Sequence, residues 1–236
     1  MNRQNAAILL LHLFATCALS QERGIVVEPS KDDENSGKSL AILVGVQDYD
    51  RAAKLKYCQN DVRLLEKTLR ENCKFDTVIS MTAAATEKQY RPTKGNIISA
   101  LDLWLKVANS SGYRQVLVYF SGHGFRDDKD RLYFAPPDCH MKQLELTGLP
   151  MSFVKQTLDG CVKVPVKLLI LDTCHSGESK GAAEGLTGGD IAVFKNARGL
   201  YTMASCDSDE YSMEWPQKKQ GVFTYWLWTG LKDTAD

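Results

Sequence analysis

The chain has 236 residues, with 29 basic side chains set against 29 acidic ones and a pI near 6.9. Hydrophobic residues supply 44% and charged residues 25%, which is ordinary globular usage and excludes a disordered or collagen-like chain. The balanced charge offers no basic face for nucleic acid, and the length suits one domain with a core large enough to fold without a disulfide framework.

In chain order, residues 1–20 read as a signal peptide. Arg3 supplies a positive start, Ala6–Ala18 is apolar except for His12, and Ala18-Leu19-Ser20 places small residues where a signal peptidase cuts. An apolar run of 13 residues is too short to span a bilayer, so the expectation is export, secreted or periplasmic, with no membrane span. The competing reading, a buried N-terminal helix, is broken by His12. Residues 21–38 are polar and punctuated by Gly, Ser and Pro, a linker ahead of one domain at 39–236.

Within that domain, Ser39–Val46, Thr77–Met81, Gln115–Phe120, Val166–Leu171 and Leu200–Ser205 are short apolar runs without alternation, the pattern of strands buried on both faces. Helical spacing recurs between them: Val62, Leu65 and Leu69; then Ile97, Ile98, Leu101, Leu105 and Ala108, with Thr93 placed to cap. A shorter helix follows Pro150 through Phe153, Val154 and Leu158, and another covers Phe223–Leu231. Strands alternating with helices predict an α/β fold with a mostly parallel sheet covered on both faces. In such sheets, chemistry collects beyond the carboxyl ends of the strands. Residues 178–198, rich in Gly and Ala, read as a long loop between the last two strands.

Six cysteines remain after the leader: Cys58, Cys73, Cys139, Cys161, Cys174 and Cys206. None shows zinc-ligand spacing, and most read as small buried hydrophobes; pairing of Cys139 with Cys161 stays open. Cys174 is the exception. It follows the strand at 166–171 in Asp172-Thr173-Cys174-His175-Ser176-Gly177, while the strand at 115–120 leads into Ser121-Gly122-His123-Gly124. A cysteine nucleophile needs a base, a route to thiolate and amide donors for an oxyanion. Neighbouring strands would deliver Cys174 and His123 to one rim, with the N–H groups of Gly124 and Cys174 as donors. Asp172, two residues before the nucleophile, favours a cationic partner.

YFSGHG (119–124) and LDTCHSG (171–177) resemble the His and Cys motifs of the caspase-like cysteine peptidases, in the metacaspase and paracaspase branch. The 51-residue interval between His123 and Cys174 fits the caspase-type spacing. AILVGVQDY (41–49) looks like the family's first strand and GVFTYWLWTGL (221–231) like its late helix, so the resemblance covers nearly the whole domain. It implies a caspase-like three-layer sandwich, Cys174 as nucleophile, His123 as acid/base, and a thioester acyl-enzyme; His175 is then a structural neighbour. It also implies a P1 pocket. Cys58 and Asp61 fit the CxxD element, Ser121 matches the pocket serine, and Glu210 fits the offset of the paracaspase glutamate. With Asp172 these residues would bind Arg or Lys, and Arg better because one guanidinium can bridge two carboxylates. Lys180, Lys195 and Arg198 become candidate self-cleavage points. Many metacaspases depend on calcium, and Asp127, Asp128 and Asp130 offer hard oxygen ligands, although without EF-hand spacing; no other cofactor is required. Family domains commonly continue past the final helix, which leaves open whether 39–236 is a whole domain.

Other readings explain less. A phosphatase loop would need Arg where Lys180 stands, and the nucleotide-binding glycine motifs are absent. A catalytically silent binding module of the same fold, or a legumain- or gingipain-like peptidase, remains the alternative. The partners expected are protein or peptide substrates.

Overall fold

The computed structural model describes residues 37–174, 199–205 and 213–233. The leader, nearly all of the linker, the 178–198 segment, and with them Lys180, Lys195, Arg198, Cys206 and Glu210, lie outside the described residues.

Five strands form a parallel sheet: β1 (Lys38–Gly45), β2 (Thr77–Met81), β3 (Tyr113–Arg126), β6 (Val166–Cys174) and β7 (Leu200–Ala204), in the order β2-β1-β3-β6-β7. Two short antiparallel strands, β4 (Leu132–Phe134) and β5 (Leu149–Pro150), extend from the far end of β3. The helices are α1 (Cys58–Glu71), α2 (Lys94–Ser110), α3 (Leu144–Thr147), α4 (Met151–Gly160) and α5 (Val222–Asp233). A hairpin of β8 (Glu214–Trp215) and β9 (Gln220–Gly221) precedes α5.

The absence of alternation in the strands has a direct cause: both faces are buried, and the two-residue period sorts each strand into two cores. Leu40, Ile42, Val44, Val116, Val118 and Phe120 pack with Ile97, Leu101 and Leu105 of α2 and Val154 and Leu158 of α4. Ala41, Leu43, Leu117, Tyr119, Leu168 and Ile170 pack instead with Val62, Leu65 and Leu69 of α1 and Leu227 and Leu231 of α5. The result is the expected three-layer sandwich. Thr93 caps α2 as its hydroxyl accepts from the Asn96 N–H at 3.3 Å.

Two expectations change. The strand expected to stop at Phe120 runs on to Arg126, because β6 continues to pair it as far as His123↔Cys174 and β4 then takes over from Gly124. The SGHG motif is therefore strand, not a loop beyond one. The first strand begins at Lys38, one residue before the expected Ser39, since Lys38 already pairs Tyr113.

Candidate active site

The chain crosses from β2 back over β1 to β3, which makes the carboxyl ends of β1 and β3 the place where the connections diverge. His123 sits there, fully buried, and the parallel register makes it the partner of Cys174 at the end of β6. Its imidazole Nε2 lies 2.8 Å from the carbonyl oxygen of Ala53, in the segment after β1. A carbonyl only accepts, so Nε2 carries a proton, which leaves Nδ1 as the nitrogen turned away from Ala53. The Tyr49 ring packs on the imidazole with centroids 4.6 Å apart, and Phe125 lies 5.7 Å away.

One rung back, Ser121 partners Asp172. Side chains two apart on a strand share a face, so Tyr119 and Ser121 of β3, and Ile170 and Asp172 of β6, belong to the layer of α1 and α5. That layer brings up Asp61 from the first turn of α1 and Thr224 from α5. Asp61 and Asp172 are each only 2% exposed. Asp61 accepts the Gly221 N–H at 2.9 Å and, at the long limit of 3.5 Å, the Ser121 hydroxyl. Asp172 accepts the Thr224 hydroxyl at 2.7 Å, and Tyr119 closes that group, its hydroxyl 2.6 Å from Thr224.

Gly221 stands between the two acids. A Cβ there would lie 3.1 Å from one carboxylate oxygen of each, so a larger residue would press on both acids and they would have to give by a few tenths of an ångström. Burial first, and the charge of Asp172 second, push Asp61 up to about 8, against the stabilising Gly221 and Ser121 hydrogen bonds. A first-turn carboxylate would ordinarily be favoured in its charged form by the helix dipole; here desolvation and a like charge outweigh it. The same surroundings raise Tyr119 well above the usual tyrosine range, burial being the larger cause.

Cys58, buried at the start of α1, lies one turn before Asp61, while Asp61, Ser121 and Asp172 converge near the hairpin. Gly124 follows His123 on β3, opposite Phe134. Sequence reasoning missed Glu214. Its carboxylate accepts from the N–H groups of Lys56 (2.6 Å) and Tyr57 (3.2 Å) at the mouth of α1, and its charge adds to the pressure on Asp61. The sequence signal was faint, an acid between Met213 and Trp215. Cys139 and Cys161 are free thiols, so they do not pair with each other.

In the acidic turn after β3, two of the three carboxylates have cationic partners. The Arg131 guanidinium binds Asp127 at 2.6 Å and is the main reason that carboxyl is held below the usual range; the amides of Lys129 and Arg131 also donate to it. Asp130 pairs with Arg126 at 2.7 Å. Among the described residues, no group of three His, Cys, Asp or Glu side chains could hold a metal ion. No helix among them is long and apolar enough to cross a membrane.

The caspase-domain pattern of the C14 peptidases matches residues 38–236, from the first strand through the last helix. The chain belongs to that family. Among its relatives, metacaspase-1 of Botryotinia fuckeliana is 25% identical over 236 residues, covering 84% of this chain and 55% of its own. Metacaspase-1 of Plasmodium falciparum is 28% identical over 153 residues, covering 59% of this chain and 24% of its own. The chain thus spans about half the length of the fungal metacaspases, or less of the Plasmodium one. Protein GSU0716 from Geobacter sulfurreducens shares the fold at a TM-score of 0.55, with 18% identity over 82% of each chain.

Proposed function

We propose that this caspase domain is a cysteine endopeptidase that cuts after Arg or Lys. The observation that carries this reading is a pair of adjacent rungs: His123 opposite Cys174, and one rung back Asp172 opposite Ser121 with Asp61 beside them. A substrate backbone lying across the first rung would drop its P1 side chain toward the second.

In this reading the Cys174 thiolate attacks the scissile carbonyl carbon, forming a C–S bond while the amides of Gly124 and Cys174 hold the oxyanion. His123, with Nε2 engaged by Ala53, exchanges its catalytic proton through Nδ1. As the intermediate collapses and the C–N bond breaks, that proton goes to the leaving amine. Water, deprotonated by the same nitrogen, then hydrolyses the thioester and restores the thiol. The buried acids reward a cation over a neutral side chain, since a charge in such a site needs a paired counter-charge. Glu214 is a third carboxylate near them among the described residues, and it acts chiefly by holding the start of α1; Glu210 lies outside the described residues.

The test is a peptide set differing only at P1 (Arg, Lys, Asp, Asn), with and without calcium, beside Cys174→Ala. Turnover of Arg above Lys, with Asp and Asn at least about 100-fold slower and all activity lost in the variant, is the expected result. Asp turnover comparable to Arg would refute the pocket assignment; failure on every peptide would favour the silent binding module. Mass spectrometry of the incubated protein tests cleavage after Lys180, Lys195 or Arg198, and the N-terminal mass of exported product tests removal of residues 1–20.

A further inference from the structure

In the parallel ladder between β1 and β3, Val46 donates its N–H to the Ser121 carbonyl at 2.9 Å. The repeat of a parallel ladder makes the next bond His123 N–H to the Val46 carbonyl. That direct bond is replaced by two. The His123 N–H donates to the Tyr49 hydroxyl at 2.8 Å, and the hydroxyl donates onward to the Val46 carbonyl at 3.0 Å. A side-chain hydroxyl is therefore spliced into the backbone rung that carries the catalytic histidine.

Space has been cleared for it. A Cβ on Gly122 would stand 2.7 Å from the Tyr49 oxygen, closer than real side chains approach, and 3.0 Å from the Phe134 ring. Tyr49 is buried, and its ring is the one packed against the imidazole, tilted by 39° with centroids 4.6 Å apart. The segment after β1 thus grips His123 three times: backbone N–H by the Tyr49 hydroxyl, imidazole ring by the Tyr49 ring, and Nε2 by the Ala53 carbonyl.

We propose that Tyr49 is a positioning residue for His123, its hydroxyl acting as a wedge that holds β1 and β3 apart at the active rung and sets where the imidazole stands. Without the hydroxyl, two buried backbone groups either stay unpaired or close on each other, and closure draws His123 toward β1 and away from its register with Cys174. Substrate charge is read elsewhere, at Asp61 and Asp172, so the loss falls on turnover and not on P1 recognition. The inference rests on the proposed peptidase reading for its kinetic consequence only.

The deciding experiment compares the whole protein with Tyr49→Phe and Gly122→Ala, the second keeping the tyrosine but filling the hydroxyl's place. NMR follows amide exchange at His123 and titration of its imidazole, and neither readout requires activity. Both variants are expected to speed exchange at His123 by at least about 10-fold and to shift its imidazole titration. In Tyr49→Phe, kcat for an Arg peptide falls by about 10-fold or more with KM within about twofold. Unchanged exchange and titration in whichever variant folds would overturn the wedge, as would a kcat loss matched by an equal rise in KM. If the wild type cleaves no peptide, the peptidase reading fails while the NMR comparison still decides this one.

Discussion

Asp61 is the residue whose surroundings speak most directly to pH. Folded, it keeps its proton up to about pH 8; unfolded, it ionises near 3.8. Between those values the folded state holds the extra proton, so stability declines as pH rises across that window. Asp61→Asn keeps an oxygen to accept the Gly221 N–H but carries no charge. It is expected to raise Tm most at pH 8, by about 2–4 °C for each kcal/mol of relief, and clearly less at pH 5, where only the first part of the window has been crossed. It should also raise KM for Arg peptides by about 10-fold or more. Equal Tm changes at both pH values would show that charge is not the cause. Asp61 and Asp172 were both legible in the sequence, one from its spacing after Cys58 and one from its place before Cys174. Their mutual burial was not, because it depends on Gly221 bringing the hairpin onto both from far along the chain.

In the proposed P1 pocket, the β8–β9 hairpin is the element that carries the second wall. Two residues per strand are too few for any periodicity to register, so nothing in the sequence marked it out. It fastens to α1 at three points: Glu214 to the N–H groups of Lys56 and Tyr57, Lys219 through its carbonyl to the Asn60 amide, and Gly221 to Asp61. Tyr57 itself offers α1 no side-chain cap, so Glu214 supplies one from outside the helix. Glu214→Ala is expected to cost about 1 kcal/mol, a typical lost cap, with faster amide exchange at Lys56 and Tyr57 and a raised KM for basic peptides. Glu214→Gln, which retains the acceptor, should recover the exchange protection. Longer elements were legible where their pattern was strong, as for β1 and α2. The end of β3 was misread because glycines and a histidine look like a loop until the partner strands on either side are known.

The sheet's two cores share every central strand, so the molecule has no half that can unfold alone. Leu101 on α2 and Leu65 on α1 are both fully or almost fully buried on opposite faces. Leu101→Ala and Leu65→Ala are each expected to cost roughly 2–5 kcal/mol, and each should shift a single cooperative denaturant transition. A second transition in either variant would show that the layers are separable. At this scale the sequence was most informative, because continuous apolar strands alternating with amphipathic helices admit few arrangements.

The hydrogen bond from Gly221 to Asp61 joins positions 160 residues apart. At typical synthesis rates of about 5–20 residues per second, roughly 8–32 s pass on the ribosome between the two. His123 and Cys174 are both made within that interval, before the wall that completes the acidic pocket exists. In the proposed peptidase reading, a half-made chain therefore holds its nucleophile and histidine before the wall that selects a basic side chain has been made.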